Sequence, residues 1–348
     1  MVNTARAAIL YEIDKPLRVE TITLPKLKVG QVLVKIHYSG VCRSQLMEIK
    51  GLRGHDKWLP HMLGHEGSGE VVAIGEGVSK VKPGDFVVVG WVKGLGIDAP
   101  GAIYRMNGRN INSGPVTTFS NYSVISENRV YKKPKGVCDK SAFLFGCALP
   151  TGSGIVFNQI QPRSSDKIAV IGLGGVGMAA FLALRASGID NTIVIDPDPK
   201  KLYLAQTLGA KFCINPEMVD VAEEVFRRFP SGLDKCVECA GYVETIELGF
   251  SLIKFKTGRL IFASHPPSGG KITLDPHELL AGKQILGSWG GGVQPDRDLE
   301  KFNKRFSDAQ LDINLMISNQ YQLDDINVAL DDLENNRGYR TVIKMDHD

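Results

Sequence analysis

Residues 167–187 read KIAVIGLGGVGMAAFLALRAS, and the order of residue types in that stretch decides the fold. The run Lys167 to Ile171 reads as an apolar strand. A glycine-rich turn follows it and opens an apolar helix read from Val176 to Ser187. Strand, G-x-G-x-x-G turn and helix in that order form the dinucleotide fingerprint. Gly172 makes the tight turn, Gly174 lets the backbone approach a pyrophosphate, and Gly177 lets helix and strand pack closely, with Gly175 and Val176 between them. The helix start then offers free N–H donors and a positive dipole end to the phosphates. The 17 uncharged residues from Ile168 to Leu184 do not form a membrane span, because a span needs about 20 apolar residues and four glycines at its front would weaken it.

The next predicted strand, Thr192 to Asp196, ends on an acidic side chain 24 residues beyond Gly172. A carboxylate there accepts bonds from adenosine ribose hydroxyls and repels a 2′-phosphate, so the expected cofactor is NAD in preference to NADP, with Lys200 and Lys201 close by. A helix over Lys200 to Leu208, a short strand near Phe212 and further units at Cys236 and at Arg259 to Ala263 continue the alternation. Strands alternating with helices indicate right-handed crossovers and a parallel sheet. The first 150 residues read differently, with two-residue alternation at Val32, Val34, Ile36 and Tyr38 and turns at Gly75 to Gly77 and Pro83 to Asp85. This is the pattern of an all-β domain, predicted to be a barrel. Gly94 to Gly114 lacks periodicity and reads as an extended lobe or loop. After Gly287, helical stretches at Asp298 to Phe306 and Leu323 to Asn335 precede a closing strand, Thr341 to Met345, that returns to the first domain. The expected organisation is residues 1–152 with 289–348 as one domain and 153–288 as the other.

The 348 residues carry 41 Lys plus Arg against 38 Asp plus Glu, a net charge of +3. That excess is too small and too dispersed for nucleic acid, which leaves small-molecule partners. Near the N-terminus the only apolar run is Ala7 to Leu10, too short for a signal peptide, so the expected location is the cytoplasm. The six Cys are then reduced thiols, each a core residue, a ligand or a nucleophile. Cys42, His65 and Cys147 are candidate metal ligands, since an open catalytic zinc site takes three protein donors. Their spacings of 23 and 82 residues do not select them, and each on its own is equally read as a buried Cys or a satisfied His. Cys236 and Cys239, in CVEC, lie on a predicted strand where positions i and i+3 face opposite ways, which assigns them a structural role. His55 and His61, ten and four residues before His65, read as loop residues in preference to lining a substrate cleft.

VCRS at 41–44, GHEGSGEV at 64–71, KPGD at 82–85, GCALPTG at 146–152, GLGGVG at 172–177 and ECAG at 238–241 together resemble the medium-chain dehydrogenase family, and within it the zinc-dependent alcohol dehydrogenases. The resemblance runs along essentially the whole chain. It implies a GroES-like β-barrel catalytic domain with an inserted Rossmann domain, an active site in the cleft, and NAD-linked hydride transfer to or from an alcohol or carbonyl substrate. It places Cys42, His65 and Cys147 on the catalytic zinc ligands, Ser44 on the hydroxyl that takes the substrate proton, Arg43 and Arg340 on pyrophosphate contacts, and Lys201 on the adenosine ribose. Glu66 matches an alternate zinc ligand used in parts of the family. Three departures stand out: Met47 replaces a proton-relaying His, Gln45 replaces an Asp that orients the zinc His, and Gly94 to Gly114 lacks the four Cys of a structural zinc lobe. The resemblance therefore implies one catalytic zinc per chain and no structural zinc. It also implies a homodimer or homotetramer built by sheet extension through Arg259 to Ala263 and Gln284 to Gly287, and places His265 and Trp289 near the nicotinamide. A zinc-free quinone or enoyl reductase and a non-catalytic NAD-binding protein are the alternatives.

Overall fold

A computed structural model describes residues 2–347. Within it the apolar run at the centre of the sequence argument is strand Ile168–Ile171, buried along its whole length, as is its neighbour Thr192–Ile195. Continuous burial is what a strand covered on both faces requires. Both belong to a six-stranded parallel sheet in the order Phe212–Ile214, Thr192–Ile195, Ile168–Ile171, Lys235–Glu238, Arg259–Phe262, Gln284–Gly287. The chain fills one side of Ile168–Ile171 first and the other side afterwards. The order thus reverses beside this strand, and the crevice for a ligand in such sheets opens at that switch point.

Local chemistry sets the helix ends. Gly174 is the N-cap of helix Gly175–Ala186. Helix Pro199–Thr207 starts with proline after Asp198, whose carboxylate accepts from Lys200 N–H at 2.8 Å. Asp220 caps helix Val221–Arg228 in the same way, accepting from Glu223 N–H at 2.8 Å, and arginines close that helix. The core beneath these helices is built on Ile171, Cys236, Phe250 and Leu260.

The described residues divide into two compact units. The parallel sheet lies in Ala148–Val293 with Lys304–Asp312, and the other unit comprises Met1–Cys147, Gln294–Asn303 and Ile313–Asp348. In the latter, strands Thr4–Leu10, Arg18–Thr23, Ile103–Met106, Arg109–Asn112 and His61–Met62 close a small barrel around Ile22, Tyr104 and Ile111. A second sheet runs Val130–Lys132, Phe86–Gly90, Glu66–Ile74, Gln31–Gly40, Thr341–Lys344, Asn319–Gln322, with Tyr122–Ser126 also paired to Gln31–Gly40. Its core joins Val34, Ile36, Val89 and Phe119 to Ile326 and Ile343 from the C-terminal segment.

Of the elements that the sequence reading did not place, two carry plain local signals. The stretch read as a structureless lobe contains the hairpin of Ile103–Met106 and Arg109–Asn112, turned by Asn107 and Gly108 at φ 47° and 78°. Asn-Gly tolerates those angles, and the pair is a strong hairpin signal. Helix Val221–Arg228 falls where no element was expected. Among the described residues no single helix is long and apolar enough to cross a membrane.

Phe250 is 2% exposed at the core of the parallel-sheet unit, whereas Leu280 is 83% exposed. Phe250→Ala is expected to cost about 3–5 kcal/mol and Leu280→Ala within about 0.5 kcal/mol. Urea unfolding followed by circular dichroism checks this, and similar midpoints for the two variants would contradict the assignment of the core.

Candidate functional site

Three separate segments deliver Cys42, His65 and Cys147 to one place. Cys42 ends the run from strand Gln31–Gly40 and is the N-cap of helix Arg43–Ile49, His65 immediately precedes strand Glu66–Ile74, and Cys147 ends the 3₁₀ turn Phe143–Gly146. Close backbone approach makes the convergence sterically allowed. A Cβ on Gly90 would lie 2.9 Å from the Gly146 Cα, and one on Gly146 would lie 3.1 Å from the Glu66 Cα. The ends of strands Glu66–Ile74 and Phe86–Gly90 therefore press directly on the turn that carries Cys147.

The potential ligand atoms of Cys42, His65 and Cys147 all lie within 4.8 Å of one another, and His65 Nε2 is 3.3 Å from Cys147 Sγ. Tetrahedral zinc at ordinary bond lengths separates a nitrogen and a sulfur ligand by about 3.5 Å and two sulfurs by about 3.8 Å. Two thiols and an imidazole at these separations fit zinc. Hydrogen bonding with Cys147 holds the Cys42 thiol well below its usual range against burial, helped by His65 and Arg340. The same bond, with burial, pushes Cys147 well above it. The one contact between the two thiols thus drives them in opposite directions.

The groups behind these three side chains are as ordered as the side chains themselves. Gln45, 2% exposed, accepts at Oε1 from Cys42 N–H at 3.1 Å, and its Nε2 meets His65 Nδ1. Glu66, fully buried, pairs with Arg340, which also donates to the Val41 carbonyl at 3.0 Å. Ser44 Oγ is buried with no hydrogen-bond partner among the described residues, and Met47 is buried on the same helix. Trp91 donates from its side chain to Cys147, favouring the thiolate. Nothing in the sequence reading pointed to Trp91; its only local signal is its place after Gly90 at the end of strand Phe86–Gly90. His61, read as a loop residue, instead lies in strand His61–Met62 with Nε2 2.8 Å from Asp56 Oδ2, and these two with Glu48 form a second group with ligand atoms within 4.8 Å.

The glycine turn lies in the other unit, with Gly172 at φ 84°. A Cβ on Gly177 would overlap the Gly172 carbonyl oxygen, and one on Gly172 would come 2.6 Å from Ala240 N. Asp196, 4% exposed, accepts at Oδ2 from Leu173 N–H at 2.6 Å and at Oδ1 from Asp198 N–H at 2.9 Å. Lys201 Nζ stands 3.9 Å from Asp196 and 4.0 Å from Asp198. Glu238 of ECAG accepts from Ala240 and Gly241 N–H at 2.8 and 2.7 Å, shaping the turn against which Gly172 packs. Burial pushes the thiols of Cys236 and Cys239 up, the state of inert packing residues.

Two family profiles match the chain: an alcohol dehydrogenase GroES-like domain over residues 28–135 and a zinc-binding dehydrogenase over residues 175–308. An S-(hydroxymethyl)glutathione dehydrogenase of Escherichia coli is 30% identical, over 98% of this chain and 99% of its own length. Among solved structures, an alcohol dehydrogenase zinc-binding domain protein from Burkholderia ambifaria matches with a TM-score of 0.90 at 25% identity, covering 99% of both chains. Benzyl alcohol dehydrogenase from Acinetobacter calcoaceticus matches with 0.88 at 23%, covering 99% of this chain and 100% of that one.

Arg340 and Glu66 are 5% and 0% exposed in their side chains. Arg340→Met leaves a buried carboxylate without its counter-charge and is expected to cost about 3–5 kcal/mol of stability, most of which returns in the Arg340→Met, Glu66→Gln double variant. A double-mutant cycle by chemical denaturation measures this, and additive losses would refute the pairing.

Proposed function

Because this chain belongs to the medium-chain, zinc-binding alcohol dehydrogenase family, we propose that it transfers a hydride reversibly between NAD(H) and an alcohol or the matching aldehyde or ketone, at one zinc held by Cys42, His65 and Cys147. The convergence of two thiols and an imidazole from three distant segments carries this reading. Zinc in that position acts as a Lewis acid that eases loss of a proton from an alcohol and polarises a carbonyl.

The chain's own residues do the remainder. Two thiolates and a neutral imidazole would balance the charge of the dication. Ser44, whose Oγ is buried and unpartnered, takes the hydroxyl proton of the substrate. The helix offers no second proton carrier at Met47. Glu66 serves as a reserve ligand whose charge Arg340 offsets meanwhile. Arg43 and Arg340 are assigned to the pyrophosphate, where a guanidinium fork suits phosphate oxygens; Arg340 Nε carries no hydrogen bond among the described residues. The turn Gly172 to Gly177, including Val176, receives the pyrophosphate, and Asp196 with Lys201 receives the adenosine ribose. Asp196 and Asp198 together disfavour a 2′-phosphate, which supports NAD over NADP.

The reading extends to assembly and location. Strand Gln284–Gly287 is the last strand of its sheet, paired on one side among the described residues, with Leu286 exposed. A second copy pairing at that edge gives a homodimer, and a further contact a homotetramer; the proposed location is the cytoplasm.

Elemental mass spectrometry on tag-free protein is expected to find one zinc per chain, and Cys147→Ser is expected to lose both the zinc and all turnover while NADH affinity, read by fluorescence titration, stays unchanged. Retained turnover in Cys147→Ser would overturn the role of the metal.

A further inference from the structure

Gln45 has one acceptor oxygen for two donors that the zinc reading above requires it to serve. Its side chain is buried, and its two ends meet two different partners: the backbone N–H of Cys42, 3.1 Å from Oε1, and the Nδ1 of His65, against Nε2. A primary amide presents one carbonyl oxygen and one NH₂ group, so only the oxygen end satisfies Cys42 N–H. The NH₂ end then donates to His65 Nδ1, which places the ring proton on Nε2. That nitrogen lies 3.3 Å from Cys147 Sγ and donates to it. Every polar group in this chain of contacts is satisfied without a metal.

A bound metal reverses the requirement at the ring. Nε2 must then present its lone pair, so Nδ1 carries the proton and needs an acceptor. In the observed orientation the amide oxygen faces Cys42 N–H and the NH₂ group faces His65 Nδ1, so the oxygen serves only one of the two donors at a time. Whichever one the amide serves, its NH₂ group faces the other, donor against donor, at a buried position where an unmet donor is costly. A carboxylate has two oxygens and serves both at once.

We propose that Gln45 is a positioning residue that weakens zinc binding and makes the ion readily exchangeable, because its amide holds His65 in the tautomer suited to the metal-free site. The inference rests on zinc binding at Cys42, His65 and Cys147. Gln45→Glu keeps the length of the side chain and supplies the second oxygen; Gln45→Asp supplies it on a shorter stem.

The test compares the wild-type chain with Gln45→Glu and Gln45→Asp, each prepared metal-free and then titrated with zinc alone against a chromophoric chelator. The rate of zinc loss to excess chelator is followed, as is the melting temperature of the metal-free proteins. At least one carboxylate variant is expected to bind zinc about tenfold or more tightly and to release it correspondingly slower, with the metal-free melting temperature no higher than wild type's, so that the gain lies in the zinc-bound state. Stoichiometric zinc with affinities within about twofold of wild type in both variants overturns this inference and leaves the zinc reading standing. No zinc bound by any of the three overturns the zinc reading itself, and this inference with it.

Discussion

The buried ion pair between Glu66 and Arg340 is the constraint on which the ligand set depends. Neither charge survives in the interior alone, so the two segments that carry them must meet wherever the chain folds. Glu66 follows His65 directly. Arg340 precedes strand Thr341–Lys344, which pairs with Gln31–Gly40 so that Val342 faces Gly40, two residues before Cys42. The guanidinium closes that geometry by donating to the Val41 carbonyl and contributing to the low ionisation range of Cys42. Two of the three proposed ligands thereby take their positions from groups outside the proposed set, and the C-terminal strand is tied to Glu66, 274 residues earlier in the chain.

The parts legible in the sequence are those in which local residue type dictates local geometry. Gly172 to Gly177 announce a turn because only glycine accepts the approach of Gly172 to Ala240 and of Gly177 to the Gly172 carbonyl. The strands beside that turn were legible because burial on both faces demands an unbroken apolar run. Cys42, His65 and Cys147 belong to the opposite case. Their convergence is created by sheet register and by the pressing of two strand ends on the turn at Gly146, contacts that no spacing encodes, and the resemblance to a family was needed to single them out. Trp91 was invisible for the same reason, since its hydrogen bond to Cys147 exists only across that tertiary contact. The hairpin at Asn107 and Gly108 and the helix opened by Asp220 are different: both carry ordinary local signals, hidden inside stretches whose surroundings look irregular.

Around the thiols and imidazole, order comes from side chains, and each is specialised by how many donors and acceptors it offers. Around the glycine turn, order comes from the backbone, and the Asp196 side chain fastens it. Its carboxylate holds Leu173 N–H in the turn with one oxygen and Asp198 N–H with the other. The acidic group proposed to set nucleotide preference at this strand end is thus also a clasp on the glycine turn proposed to receive the phosphates. On that proposal, discrimination and preorganisation are carried by the same atoms. An engineer who neutralises Asp196 to admit a phosphorylated ribose also unfastens the loop meant to receive the phosphates, and must supply a new clasp elsewhere to recover affinity.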